Sequence, residues 1–345
     1  MRNDTRLQFN QYASQIAAIN GVANATQSFT VEPAVQQTME QRIQESSEFL
    51  SRINMAVVSD QQGEKIGLGV SGPVAGRTDT KTKRRQTRDL TTMDGHKYLC
   101  LQTNFDTHIP YARLDAWARH KDFQIKIRDN IVKRQALDRI MIGFNGVGAS
   151  AHTDIAANPL LQDVNKGWLQ SWREHAPERV QNKGRAGGNV IIGGEKDTAD
   201  YATLDAAVYD LRVLLDPWYQ DDTQLVAIVG RGLMHDKYFP LVNKEDPATE
   251  KLAADIIISQ KRIGGLAAAT VPFFPANSVL ITLYSNLSIY AQDGTRRRYI
   301  KEAPDCDRVE FYESSNDAYV VEDFGAGAVL ENIELRDPIK PTEQG

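Results

Sequence analysis

The residues in this chain that could do chemistry are scattered. A G-x-G turn follows an apolar run in LVAIVGRGL, Leu225 to Leu233, with its glycines at Gly230 and Gly232. A strand that turns through glycines onto a helix start can cradle a nucleotide phosphate on backbone N–H groups. The third glycine and the G-K-S/T that would make the pattern specific are missing, so it reads first as a strand turning tightly into a helix. GFNGVG, Gly143 to Gly148, follows a helical pattern and reads as helix stop and loop. The six histidines (His96, His108, His120, His152, His175, His235) show no H-E-x-x-H and no Cys/His cluster. Cys100 and Cys306 are isolated, which fits neither a disulfide framework nor a C-x-x-C site and suits a reducing compartment. No G-x-S-x-G elbow is present. Asp221 and Asp222 are adjacent, but among 45 acids such pairs arise easily. No cofactor or metal is expected. A nucleotide-binding α/β enzyme is carried as the alternative, on LVAIVGRGL alone.

Charge is better organised than catalytic chemistry. Lys81, Lys83, Arg84, Arg85 and Arg88 form a basic run. Three roles are open to it: a solvated loop tip, pairing with acids of another subunit, or nucleic-acid contact. The last is the weakest, because no aromatic residues interleave as they would in a stacking platform. Arg296, Arg297 and Arg298 follow an Asp-Gly turn and read as an exposed strand edge. Asp115/Arg119, Asp122/Lys126 and Asp129/Lys133 are acid-before-base pairs at i,i+4, spaced seven residues apart. Such pairs support a helix by a few tenths of a kcal/mol each.

Those pairs lie in Tyr111 to Phe144, which has no proline or glycine between Ala112 and Ile142. One helix of about 30 residues would span ~45 Å, against an average of ~11–12 residues in globular proteins. It suits spanning distance more than catalysis. Residues 4–20 predict an amphipathic helix capped by Asp4 and stopped at Gly21, followed by a flexible tether at 22–28. A second helix starts at Pro33. Residues 57–108 predict a long basic β-hairpin with too little apolar content for its own core, and an isolated hairpin is marginal in water. Helices are expected over 163–176, over 201–216 with Asp200 as cap, and near 232–239. Gln224–Val229 reads as a buried strand. SVLITL, LSIYAQ, RRRYIKE, RVEFYES, AYVVEDF and AVLENIEL read as strands, with a hairpin at Asp293-Gly294. Strands are grouped rather than alternating with helices, an α+β arrangement.

With 345 residues, 41% hydrophobic and 25% charged, the composition is that of a soluble globular protein. A net charge of −5 argues against a dedicated nucleic-acid binder. No apolar run of 18 residues predicts a membrane span, and the N-terminus lacks a secretory h-region.

Long strings carry a resemblance: FTVEPAVQQTMEQRIQESSEFLSRIN, LDAWARHKDFQIKIRDNIVKRQALDRIMIGFNG, DPWYQDDTQLVAIVGRGLMHDKYFPLVNK and DRVEFYESSNDAYVVEDFGAGAV. The chain resembles the major capsid proteins of peduovirus-type temperate tailed bacteriophages nearly end to end. It departs at 81–88, near 184–197 and at the C-terminal tail. The resemblance implies the Hong Kong 97-type capsid fold. Its parts would be an N-terminal assembly segment (1–29), an N-terminal arm (30–56), an E-loop hairpin (57–108) and a P-domain spine helix (109–154). An A domain (155–265) and C-terminal P-domain strands with a tail (266–345) would complete it. It implies a subunit of an icosahedral head shell, built of hexamers and pentamers in the host cytoplasm. Its partners would be its own copies, an internal scaffold with its protease, a portal protein, and double-stranded DNA without sequence-specific contacts. It implies cleavage between Phe29 and Thr30. The Lys–Asn crosslink of the fold's namesake has no matching motif here. A shell protein of a non-viral compartment with the same fold is the third reading.

Overall fold

The computed structural model describes residues 1–65, 75–87, 96–118, 123–194, 197–242 and 261–336. Among them the helices are α1 (Asn3–Ile19), α2 (Pro33–Glu45), α3 (Tyr111–Trp117), α4 (Phe123–Asn145), α5 (Trp168–His175), α6 (Leu204–Leu211) and α7 (Arg231–Val242). The rod expected over 111–144 is thus described as two helices. α3 closes on Ala118, and 119–122 lie outside the described residues.

Local chemistry explains several helix ends. Gly21 takes φ +63°, its N–H donates to the Ala18 carbonyl (3.2 Å), and the Val22 N–H donates to that of Ala17 (2.9 Å). Both bonds satisfy carbonyls that a helix end leaves open. Pro33 occupies the first turn of α2. α1 begins at Asn3, so Asp4 is inside the helix and not its cap. α6 is shorter than expected. Thr203 caps it by accepting from the Ala206 N–H (3.2 Å), while Asp200 accepts from the Arg185 and Ile191 N–H groups and ties down the glycine-rich loop.

A seven-stranded sheet forms around the 14-residue strand Arg308–Val321. RVEFYES and AYVVEDF, expected as separate strands, are this one element. The expected Asp293-Gly294 hairpin does not form. Leu287–Gln292 and Arg297–Ala303 both pair antiparallel with the long strand, at 317–321 and at 308–314. The turn is therefore a jog between two stretches lying in line. Leu101–Asn104 and Thr107–Pro110 follow the other side of the long strand. Asn54–Val58 and Phe29–Thr30 complete the sheet. A six-stranded sheet runs in the order 262–263, 266–269, 226–229, 279–282, 328–330, 180–181. The strands of 266–345 therefore do not all return to the spine-helix sheet.

α2, α4 and α5 pack on the long-strand sheet through Ile43, Ala136, Ile140, Phe144, Trp168 and Trp172. Close approach at the α4–α5 junction needs glycine. A Cβ on Gly143 would lie 2.2 Å from the Trp168 ring, and one on Gly167 would lie 2.4 Å from the Gly143 carbonyl oxygen. The Trp168 Nε1–H then donates to the Ser288 carbonyl at 3.0 Å.

Candidate functional site

The G-x-G turn is filled by the chain's own backbone. The Gly230 N–H donates to the Ser278 carbonyl (3.0 Å), and a Cβ there would meet the Ala276 carbonyl oxygen at 1.9 Å. All four residues of the preceding strand Val226–Val229 are buried. Among the described residues, no group of three or more His, Cys, Asp or Glu could hold a metal ion.

The hairpin arm leaves the body through a short ladder, Gln62–Glu64 against Lys97–Leu99. At its root two of the scattered histidines meet. The His96 and His175 rings are 4.2 Å apart between centroids, and both face Phe324. The Lys65 Nζ sits 4.2 Å above that same Phe324 ring, a cation–π contact. Burial and the neighbouring His96 push the His175 imidazole below its ordinary value, although Glu174 opposes them. Further out, every residue from 75 to 87 is exposed. Lys81, Lys83, Arg84 and Arg85 are on this stretch, around a turn in which Asp79 accepts from the Lys81 and Lys83 N–H groups. Arg88 lies outside the described residues.

Of the three spine-helix pairs, only Asp129/Lys133 lies wholly within the described residues. Arg119 and Asp122 lie outside the described residues, so the pairs with Asp115 and Lys126 do too. Asp129 pairs with Arg128 at 2.8 Å rather than with Lys133. Asp115 accepts from the Arg2 N–H (2.9 Å) and so serves the start of α1. That backbone hydrogen bond holds its carboxyl below the ordinary value.

The organising charges are buried ones that the sequence reading missed. On α4 the inward stripe runs Ile127, Ile131, Gln135, Arg139 and Ile142, all buried. On the long strand the facing alternate residues run Val309, Phe311, Glu313, Ser315, Asp317, Tyr319 and Val321. The polar middles of both stripes meet. Arg139, fully buried, binds the Glu40 carboxylate of α2 and that of Asp317, with Nε to Oδ2 at 3.1 Å. Arg296, also fully buried, donates to Glu313 (2.7 Å), to the Gln135 side-chain oxygen (2.7 Å) and to Glu40. This overturns the exposed edge expected for Arg296 and Arg298, while Arg297 between them is exposed as expected. Glu40 and Glu313 supply the countercharge, and the jog at 293–296 turns Arg296 inward. Arg298 is nearly buried too, 3.6 Å from Glu313. Burial alone would raise the Glu40 carboxyl, but Arg139 and Arg296 outweigh it and hold it low. Glu313 is held low against burial by Arg296 and Arg298. Burial keeps Asp317 above its ordinary value against the pull of Arg139. The signal was available as a charged residue on the apolar stripe of a helix, where an unpaired charge is not tolerated.

The amino-terminal residues are docked. Phe29 is buried and pairs with Arg298, while Thr30 pairs with Arg297. The stretch read as a tether lies against the sheet: Ala25 is 1% exposed and its carbonyl accepts from the Ile300 N–H (3.1 Å).

An α+β body with an exposed basic segment at 75–87 and buried charges locking α4 to α2 and the long strand can be set beside known proteins. A model of the phage major capsid protein, P2 family, matches residues 8–333. The chain belongs to that family. It is 52% identical to the capsid protein of Escherichia phage P2, over 100% of this chain and 99% of that protein. It is 42% identical to the major capsid protein of Serratia phage KSP20, over 98% and 99%. Its structure is similar to a chain of the satellite phage P4 procapsid that includes the size determination (Sid) protein. That match has a TM-score of 0.81 and 49% identity, covering 98% of this chain and 99% of that one. The family's Hong Kong 97-type α+β fold is the fold described above. As a member of this P2 family, the chain is a major capsid protein, the structural subunit of a phage head shell. No described helix is long and apolar enough to cross a membrane.

Proposed function

We propose that this capsid subunit closes into hexamers and pentamers of an icosahedral shell, and that its role is structural and not catalytic. The shell forms around an internal scaffold with its protease, incorporates a portal, and receives double-stranded DNA without sequence-specific contacts. Assembly takes place in the host cytoplasm. The observation that best supports this is the arm. Residues 75–87 are wholly exposed and basic, in the segment that runs between the two strands of the short ladder Gln62–Glu64 and Lys97–Leu99, and a two-stranded ladder of that size is marginal alone. A neighbouring subunit supplies the missing surface, and repeated heterologous contacts of this kind close into rings and shells. The basic tip at Lys81, Lys83, Arg84, Arg85 and Arg88 pairs with acids of that neighbour.

Processing between Phe29 and Thr30 completes the proposal. Chains taken from DNA-filled heads should show the mass of a protein beginning at Thr30. Chains that begin at Met1 in such heads would contradict it.

A further inference from the structure

Residues 1–28 form a strap over the sheet, and the peptide after Phe29 is built into that sheet. α1 buries Phe9, Tyr12, Ile16 and Ala17 in one cluster with Ile109, Leu114, Ile127, Ile131, Ile300 and Val309. Near its start, Arg6 makes a bidentate pair with Glu302, Nη1 to Oε2 at 2.9 Å and Nη2 to Oε1 at 2.8 Å. The Tyr111 hydroxyl donates to the same carboxylate at 2.9 Å. Beyond α1 the backbone meets the sheet at Ala25, which accepts from Ile300, and again over Phe29–Val31, where Phe29 and Thr30 pair with Arg298 and Arg297 and the Val31 N–H donates to the Arg296 carbonyl at 2.8 Å. Phe29 and Val31 are both buried.

A protease binds its substrate as an extended strand with free main-chain groups and pockets for alternate side chains. Here those groups are bonded to Arg296–Arg298 and Ile300, and the alternate side chains face the core. The bond is extended, as a protease requires, but it is occupied.

We infer that the Arg6–Glu302–Tyr111 contact is a latch on this strap, and that the Phe29–Thr30 peptide becomes a protease substrate only when the strap lifts from the sheet. This rests on the proposed processing, and it makes processing report on the state of the strap. Anything in assembly that peels α1 away exposes the bond, and an undisturbed subunit resists cutting.

Chymotrypsin cuts after phenylalanine and needs no phage protease, so it tests the strap independently. Cleavage of a transiently opened segment follows the population of its open form. The purified full-length chain is treated with chymotrypsin and the fragment beginning at Thr30 is followed by mass. The intact chain should yield it far more slowly than a free peptide of residues 22–36. Glu302→Gln should speed its appearance by about five-fold, and Phe9→Ala by about a hundredfold. The denaturant midpoint of the remaining body in Glu302→Gln should be unchanged, which separates strap opening from unfolding. Equal rates in the intact chain and the free peptide, or no acceleration in Glu302→Gln and Phe9→Ala, would overturn the inference. A mature head chain that begins elsewhere than Thr30 would overturn the processing site while leaving the chymotrypsin result standing.

Discussion

Arg139→Met is expected to destabilise the subunit by about 3–5 kcal/mol, the cost of leaving buried charge without its partner. Arg139, on α4, is fully buried against α2 and the long strand. Methionine matches much of its volume but leaves Glu40 with Arg296 alone and Asp317 with no cation on it. Urea denaturation of the full chain reads the change directly. α2 should also come loose from α4, because Glu40 is its charged anchor. A loss below about 1 kcal/mol, the range of exposed ion pairs, would mean that the charges do not hold α2 and α4 together.

The second large effect falls on assembly. Reversing charge at Lys83, Arg84 and Arg85 to glutamate should leave the monomer folded, since every residue from 75 to 87 is exposed. Opposed like charges across an interface cost several kcal/mol. The yield of closed shells should therefore fall by at least about tenfold when the variant is co-expressed with its scaffold, as read by sedimentation. The denaturation curve of the monomer should not move. Normal shells would refute the pairing of the tip with a neighbour.

Much of the architecture was legible where one residue settles a local choice. Pro33 opens a helix, Gly21 closes one through its positive φ, and the uniformly apolar Val226–Val229 is a buried strand. The larger errors share a cause, since the decisive partner was far away in sequence. Asp293-Gly294 has hairpin chemistry, yet the long strand Arg308–Val321 takes both flanking segments as partners. Ser315, Asn316 and Asp317 are turn-forming types, so one strand looked like two. They stay extended because Asp317 meets Arg139 and the Asn316 side chain donates to Gln292 (2.9 Å). Arg296 looked exposed because Glu40, 256 positions away, was not visible as its partner. The exposure of 75–87 was legible for the opposite reason. A segment with too few apolar residues to fold on itself declares that it needs something else.

Cryo-electron microscopy of shells from co-expression with the scaffold tests the central claim most directly. The claim predicts closed icosahedral particles in which the hairpin beyond 62–64 and 97–99 lies across the adjacent subunit, with acidic side chains of that neighbour against Lys83, Arg84 and Arg85. Particles in which the hairpin folds back onto its own subunit, with its basic tip facing solvent, would contradict it.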